Sequence, residues 1–274
     1  MVIQHIDGIF YRMKVPSDLS FLHKYGAVFK VFDDQDSGNI CFGIENGATR
    51  YFIKFAGAET AEYNGTTRIA IERLKATVPV YEALRHKNLI KLISAEEINN
   101  GFAVIFEWTN AVCMGKQYPE SRLKFMSLPI EKRMNVFNDI LAFHLHVAKL
   151  GYVAIDFYDG SIMYDFDKNE TVICDIDFYQ KQPVTNGIGR MWGSSRFMSP
   201  EEFLVGSGID EITNVFLMGA TAFALLGGEL DRSISKWAGG TRLHPVALKA
   251  VSDRREDRFR SLAEFASAWK TSTL

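Results

Sequence analysis

The sequence predicts an α+β fold, in which a strand-rich first part with one main helix precedes a larger part that is mostly helical. Three observations support this prediction. Short segments rich in Val, Ile, Phe and Tyr, separated by turn clusters, occupy residues 28–55. Apolar residues recur at helical spacing over 66–85 and again over 128–150. After residue 200 the remaining pattern is helical.

Composition limits the class of protein and the class of partner. A chain of 274 residues with 47% hydrophobic and 23% charged side chains is typical of a globular protein with a large core. The 31 Lys and Arg residues nearly balance the 33 Asp and Glu residues, so no basic excess indicates nucleic acid or an anionic membrane as a partner. The three cysteines are too few and too scattered for a disulfide framework, which favours a reducing compartment.

The sequence contains no pattern typical of secretion or membrane insertion. The first ten residues, MVIQHIDGIF, lack a basic start followed by a long apolar stretch. The longest apolar run, Val215–Gly228, has fourteen residues and is too short to span a bilayer. It predicts a helix that is buried on all sides. We therefore expect a cytoplasmic protein without a membrane partner.

The elements of the first part follow in order from their residues. Turn clusters such as DDQDSGN and NGAT separate the strands, which predicts an antiparallel meander and then a hairpin. The helix over 66–85 contains Pro79, so two helical pieces or a kink are expected. The predicted strands are Val28–Phe32, Ile40–Glu45, Arg50–Phe55, Lys91–Ala95 and Phe102–Glu107.

The second part begins with a helix and a small hairpin. The helix over 128–150 is expected to end at Gly151, because glycine is favoured just beyond a helix C-terminus. Two short strands, Ser161–Tyr164 and Thr171–Asp175, are joined by the turn DKNE. The predicted division is an N-terminal extension, a first lobe and a second lobe, over residues 1–25, 26–108 and 109–274.

Six motifs follow one another between residues 51 and 201, within a region of resemblance that covers about residues 26–270. They are YFIK at 51–54, LRHKNLIKL at 84–92, FEW at 106–108, GYVAIDFYDGSIMYD at 151–165, VICDIDFY at 172–179 and GSSRFMSPE at 193–201. Their order and content resemble the signature set of the protein kinases. The resemblance implies a bilobal protein-kinase-like fold, with a β-rich N-lobe that carries one main helix and a mostly helical C-lobe.

The resemblance implies that ATP is the cofactor and indicates residues that would hold it. Lys54 ends an apolar strand, where kinases place the lysine that meets the α- and β-phosphates. Phe106 stands where a gatekeeper would. Glu107 and Trp108 begin the hinge, whose backbone groups hold adenine in the family.

The glycine-rich loop and the helix glutamate are the weakest matches. Gly38 alone fits the last glycine of the loop, and three aspartates over 33–36 lie where phosphate is expected. Their charges would repel a nucleotide unless they are compensated. The glutamate that pairs with Lys54 in kinases is replaced by Thr77, and Glu72 is the alternative partner.

The resemblance assigns catalysis and metal binding to acidic and hydroxyl side chains. Asp156 takes the place of the catalytic-loop aspartate, which orients the substrate hydroxyl and accepts its proton. Asp175 or Asp177 would bind Mg²⁺ or Mn²⁺, and the spacing favours Asp175. Ser161 replaces the metal-binding asparagine, and Tyr158 replaces the loop lysine. Hard cations accept neutral oxygen ligands, so the serine is retained as a candidate.

The last motif indicates a protein substrate. GSSRFMSPE resembles the segment that touches peptide in protein kinases, and its Glu201 is expected to pair with Arg258 in a structural ion pair. Asn214 replaces the aspartate that usually follows in the next helix.

Three functions are consistent with these residues. The first is an ATP- and Mg²⁺-dependent phosphotransferase that resembles Ser/Thr protein kinases and acts on a protein hydroxyl. The second is a pseudokinase, a binding or scaffold module for a protein partner. The third is a small-molecule kinase of the aminoglycoside or choline type, against which the SPE segment at 199–201 argues.

Overall fold

The computed structural model describes residues 1–273 and has the predicted α+β composition. Its contacts divide the chain into two compact units. The first contains residues 1–85 and 90–110, and the second contains residues 86–89 and 111–273. The boundary lies close to the predicted one at 108/109, but a short segment before residue 90 belongs to the second unit.

The first unit contains a hairpin, a five-stranded antiparallel sheet and one long helix. The strand order in the sheet is β3-β4-β5-β7-β6, and every predicted strand is present within three residues of its expected bounds. The elements are β1 (Val2–Ile6), β2 (Ile9–Met13), β3 (Ala27–Phe32), β4 (Asn39–Asn46), β5 (Thr49–Ala56), α1 (Thr67–Ala83), β6 (Leu92–Ile98) and β7 (Gly101–Glu107).

The first 25 residues are part of this unit and not an extension from it. Met13 and Leu22 are fully buried in the same apolar cluster as Phe42 and Ile53 of the sheet. The hairpin β1-β2 is closed by a two-residue turn, Asp7–Gly8, in which both residues have positive φ. Asp-Gly favours this turn, because both residues readily adopt positive φ.

Helix α1 runs through Pro79 as one helix, so the prediction of two helical pieces is wrong. Proline at this position removes a hydrogen bond to the carbonyl of Lys75. Both residues are exposed, and water can satisfy that carbonyl. The opposite side of α1, which includes Leu74 and Tyr81, is buried, and Tyr81 packs on Phe106 of β7 with ring centroids 4.9 Å apart.

The second unit contains five helices and three small sheets. Its sheets have the orders β11-β10-β8, β12-β9 and β13-β14. The elements are β8 (Val112–Cys113), α2 (Pro119–Met126), α3 (Ile130–Lys149), β9 (Tyr152–Val153), β10 (Ile162–Asp165), β11 (Glu170–Ile173), β12 (Gln180–Lys181), β13 (Val184–Thr185), β14 (Gly208–Ile209), α4 (Glu211–Leu226), α5 (Leu243–Ala250) and α6 (Leu262–Thr273).

The long apolar run forms the predicted buried helix. Residues 213–226 of α4 are all buried, and Asp210 caps the helix by accepting from the backbone N–H groups of Ile212 and Thr213. Helix α3 also ends as predicted, just before Gly151, which has φ +76°. Within residues 1–273, no helix is both long enough and apolar enough to cross a membrane.

Candidate functional site

Lys54 lies in the middle of β5, between Cys41 of β4 and Val104 of β7. Its neighbours in sequence, Ile53 and Phe55, point into the apolar cluster on one face of the sheet. Because side chains alternate along a strand, Lys54 points to the opposite face, which carries α1. The strand therefore holds the ammonium group on a rigid element.

Aromatic rings cover much of the face that carries Lys54. The rings of Phe32 and Phe52 are 5.7 Å apart, and those of Phe29 and Trp108 are 4.8 Å apart. A side chain at Gly43 would lie 2.7 Å from Phe29 and 2.9 Å from Trp108, so this glycine makes room for the two rings. All four rings are half-buried and not fully enclosed.

The backbone N–H groups of Glu107 and Trp108, the residues predicted to begin a hinge, both donate to backbone carbonyls. The N–H of Glu107 donates to the carbonyl of Lys91 at 2.9 Å, and the N–H of Trp108 donates to the carbonyl of Arg50 at 3.1 Å. A base held by Glu107 or Trp108 would therefore have to use their carbonyl oxygens.

Gly38 has a packing role in the structure. It has φ +85°, and a side chain there would lie 2.7 Å from Tyr63 and 2.8 Å from Ala70 of α1. The neighbouring Asp33 accepts from the backbone N–H of Arg12 at 2.7 Å and from its guanidinium at 3.1 Å. Although burial acts to raise the pKa of Asp33, these bonds hold it below its usual value. Arg12, which belongs to the predicted extension over residues 1–25, thus compensates one of the three aspartate charges of the loop.

Glu72 lies on the exposed side of α1. Its carboxylate pairs with Arg68 at 2.9 Å, one turn earlier, and 62% of the side chain is exposed. This partner differs from the predicted one, Lys54. Thr77 is buried on the inner side of α1, and its hydroxyl donates to the carbonyl of Leu74. The buried side of α1 therefore carries no carboxylate that could correspond to the expected glutamate.

In the second unit, Asp156 and Asp175 share an unusual backbone conformation. Their φ angles are +62° and +57°, in the left-handed region that costs a residue with a side chain free energy. Among the described residues, the other non-glycine examples lie in hairpin turns or just after α4; they are Asp7, Asn99, Asn169 and Glu229. Asp156 follows β9 and Asp175 follows β11, outside any such turn.

The two aspartates act on the same neighbouring side chains. Burial, and then the negative charges of Asp175 and Asp156, raise the pKa of Tyr158 far above its usual value. Burial and the same two carboxylates also raise the pKa of Tyr179. The carboxylates of Asp156 and Asp175 therefore both lie near Tyr158 and Tyr179, whose hydroxyl groups are uncharged.

Asn214 of α4 fixes the backbone that leads to Asp156. Its amide oxygen accepts from the N–H of Ala154 at 2.8 Å, and its amide nitrogen donates to the carbonyl of the same residue at 2.9 Å. A carboxylate could accept one of these bonds but could not donate the other. The asparagine is therefore suited to hold both backbone groups.

Ser161 and Asp175 are near each other in the backbone and carry oxygen atoms of the kind that a hard cation takes. The carbonyl of Ser161 accepts from the N–H of Cys174 at 3.0 Å, so Ser161 lies beside the residue that precedes Asp175. Its hydroxyl is buried and has no hydrogen-bond partner within residues 1–273. No three His, Cys, Asp or Glu side chains of these residues form a ready-made metal site. Mg²⁺ needs few protein ligands, because it keeps water and binds phosphate oxygens.

Asp177 lies in a different setting from Asp175. It belongs to the turn that the N–H of Tyr179 closes on the carbonyl of Ile176 at 3.1 Å. The charge of Asp175 acts on Tyr158 and on Cys113, whose pKa burial raises to about 11. This arrangement favours Asp175 as the metal ligand.

The predicted pair of Glu201 and Arg258 is present. Arg258 Nη1 and Nη2 donate to the two carboxylate oxygens of Glu201 at 2.7 and 3.0 Å, and the arginine side chain is fully buried. Arg255 donates to Glu201 Oε1 as well, at 2.7 Å. The pair ties the end of the last motif to the chain just before α6.

A buried ionic network around Asp159, three residues after Asp156, was not predicted. Asp159 is fully buried and accepts from Arg122 at 2.7 Å and from Arg196 at 2.8 Å, each 37 residues away in sequence. Both arginines also pair with Glu229. No spacing rule connects these residues, since only the tertiary fold brings them together.

His144 is buried against the hydroxyl of Tyr179, and its burial should make the free energy of unfolding depend on pH. Its Nδ1 is 2.8 Å from the carbonyl of Ile140 and its Nε2 is 2.9 Å from the hydroxyl of Tyr179. Complete burial lowers the pKa of His144 to about 4, from 6.5. The unfolded chain therefore binds a proton that the folded chain does not.

We expect the free energy of unfolding to fall as the pH drops from about 6.5 to 4, by up to about 3 kcal/mol from this group. Urea unfolding at a series of pH values measures it. His144→Gln cannot gain a proton and should have a flatter profile over the same range. An equally steep profile in both proteins would show that other groups are responsible.

The chain matches no protein-family model and no curated protein, so its function is inferred from the residues and their geometry.

Proposed function

We propose that the protein is an ATP- and Mg²⁺-dependent phosphotransferase with a protein-kinase-like bilobal fold, which transfers a γ-phosphoryl group to a protein hydroxyl. The observation that carries the proposal is the shared left-handed conformation of Asp156 and Asp175 beside Tyr158. Strain of this kind persists where the surrounding structure enforces it, and it is concentrated at functional sites. Two acids held in this way supply a base and a metal ligand.

Each residue has one task in this reaction. Asp156 would accept the proton of the acceptor hydroxyl and orient its oxygen. Lys54 would neutralise phosphate charge, and Asp175 with Ser161 would hold Mg²⁺. When bound, Mg²⁺ supplies further positive charge to the phosphates. Because stabilisation of charge dominates phosphoryl transfer, these few groups suffice.

Tyr158 fits the same reaction as a neutral donor. Its hydroxyl keeps its proton, because burial and the charges of Asp175 and Asp156 raise its pKa. A neutral hydroxyl can donate a hydrogen bond to a phosphate oxygen, but it adds no positive charge. We therefore expect a stronger dependence on Mg²⁺ than a lysine at this position would give.

The aromatic rings on the Lys54 face support a base-binding role. Phe29, Phe52 and Trp108 are half-buried and lie on the same face of the sheet as the Lys54 ammonium group. A purine can stack on exposed ring faces, and its phosphates can then reach a cation nearby. This combination favours a nucleotide over a ligand without a base.

The same rings favour a second candidate function. If Phe29, Phe52 and Trp108 fill the space for a base, the protein is a pseudokinase that binds a protein partner without nucleotide. The pairing of Glu72 with Arg68 on the exposed side of α1 is consistent with this alternative, because active kinases use a helix glutamate to hold the strand lysine.

Phe52→Ala separates the two candidates. If the rings stack on the base, the variant should bind ATP with Mg²⁺ about 10-fold more weakly, since an aromatic contact contributes about 0.5–1.5 kcal/mol beyond its buried area. If the rings block the base, affinity should increase. Thermal-shift titration with ATP and Mg²⁺ measures both outcomes. Phe10→Ala, at an exposed ring on β2 (71%), is the matched control. No shift in any of the proteins would rule out the phosphotransferase.

A further inference from the structure

Large apolar side chains are exposed on two neighbouring segments of the second unit. Their exposed fractions are 59%, 53%, 39%, 59% and 72%. Single exposed apolar residues are normal, but a group of five in two short segments is not. We call them the apolar patch: Ile188, Trp192, Phe203, Leu204 and Val205.

Backbone hydrogen bonds hold the two segments side by side. The N–H of Met191 donates to the carbonyl of Glu202 at 2.9 Å. Asn186 donates to the carbonyl of Ser207 and accepts from the N–H of Gly206, both at 2.8 Å. The buried side chain of Asn186 bonds further backbone groups, including the carbonyl of Gly189. The patch is therefore fixed before any partner binds.

The patch is continuous with the surroundings of Asp156. Trp192 and Gly193 line the same small cavity, of about 10 Å³, as Asp156. A side chain at Gly193 would lie 3.4 Å from Asp156 Oδ1. The ring of Trp192 also packs on Phe178, with centroids 5.9 Å apart. A chain that lies on Trp192 therefore passes close to the proposed base.

The charge and the size of the patch indicate its occupant. Residues 186–192 and 203–207 contain a single charged residue, the exposed Arg190, and no acid. An apolar segment that includes an acidic residue complements this surface. The patch has five large apolar side chains, far fewer than the roughly 20–30 residues that each partner contributes to a stable protein interface. A short segment that binds transiently fits better than a second copy of the chain.

We propose that the apolar patch docks a segment of the acceptor protein that contains large apolar residues and at least one acid. The inference rests on the proposed function for the identity of the partner. Apolar side chains of the segment cover Leu204 and Val205, its acid pairs with Arg190, and its hydroxyl residue reaches Asp156 past Trp192.

Binding of labelled peptides tests the proposal without requiring phosphoryl transfer. The probes are three fluorescein-labelled dodecapeptides with one serine: one contains three leucines and two glutamates, one replaces the glutamates by lysines, and one replaces the leucines by glycines. Fluorescence anisotropy with the full chain should show binding of the first peptide at micromolar concentration, and at least 10-fold weaker binding of the other two.

Substitutions locate the site. Val205→Asp should weaken binding of the first peptide at least 10-fold, whereas Leu123→Asp, at an equally exposed position on α2 (71%), should leave it unchanged. Arg190→Glu should reverse the preference between the glutamate and lysine peptides. Near-UV circular dichroism checks that each variant is folded.

Three results would overturn the docking proposal: no peptide binds, binding is insensitive to Val205→Asp, or sedimentation shows a dimer that Val205→Asp dissociates. The last would assign the patch to a second copy of the chain. Thermal shift with ATP and Mg²⁺ on the same samples reports the proposed function separately, so the two proposals can fail independently.

Discussion

Asp156→Asn is expected to lower the rate of phosphoryl transfer by about 10²- to 10⁴-fold, because an amide cannot accept the proton of the acceptor hydroxyl. Asparagine also tolerates the left-handed conformation that Asp156 adopts at φ +62°, so the backbone should keep its shape. Transfer of ³²P from ATP to the protein itself or to a mixed protein substrate, with Mg²⁺ present, measures the effect.

Asp175→Asn and Asp177→Asn complete this experiment. Asp175→Asn should raise the Mg²⁺ concentration needed for half-maximal transfer, because it removes a charged oxygen ligand. Asp177→Asn should leave that concentration nearly unchanged, since Asp177 lies in the turn before Tyr179. Full activity of Asp156→Asn would remove the proposed base, and an exchange of the two metal effects would assign the ligand to Asp177.

Glu201→Gln is expected to destabilise the second unit by about 3–5 kcal/mol, because it leaves the buried Arg258 guanidinium without its carboxylate. Burial acts to raise the pKa of Glu201, but hydrogen bonds from Arg258 hold it below its usual value, so the carboxylate is charged near neutral pH. For a unit of this size the thermal unfolding midpoint should fall by about 10 °C. Differential scanning calorimetry measures it.

Two further variants test whether the unpaired charge is the cause. Glu201→Leu combined with Arg258→Met removes both charges and should lose less stability than Glu201→Gln alone. Glu256→Gln removes an exposed carboxylate that pairs with Arg254, and it should not shift the midpoint measurably. If the double variant is the least stable of the three, the ion pair itself stabilises the protein.

Local patterns predicted the elements that depend on neighbours in sequence. The apolar run from Val215 predicted a buried helix, and α4 is buried over residues 213–226. Gly151 predicted the end of α3. The motifs placed Lys54 on a strand, as the structure has it, and placed Asp175 at the end of the predicted strand Thr171–Asp175, whereas β11 ends at Ile173. Hydrophobic period and turn chemistry are properties of the chain itself, so the sequence carries them.

Some errors arose where a residue's surroundings decide the outcome. Pro79 does not break α1, because its missing hydrogen bond falls on the exposed side of the helix. Residues 1–25 lack a long periodic segment, and only their packing on the sheet shows that they belong to the core.

The sequence by itself determined the α+β order, the position of each motif and the types of residue available for phosphate, metal and proton. The tertiary structure decided which of them meet. In the structure Asp33 pairs with Arg12, and Glu72 is exposed to solvent. The charges of Asp156 and Asp175 both act on Tyr158. Contacts between residues far apart in the chain depend on how whole elements pack, and no local pattern encodes them.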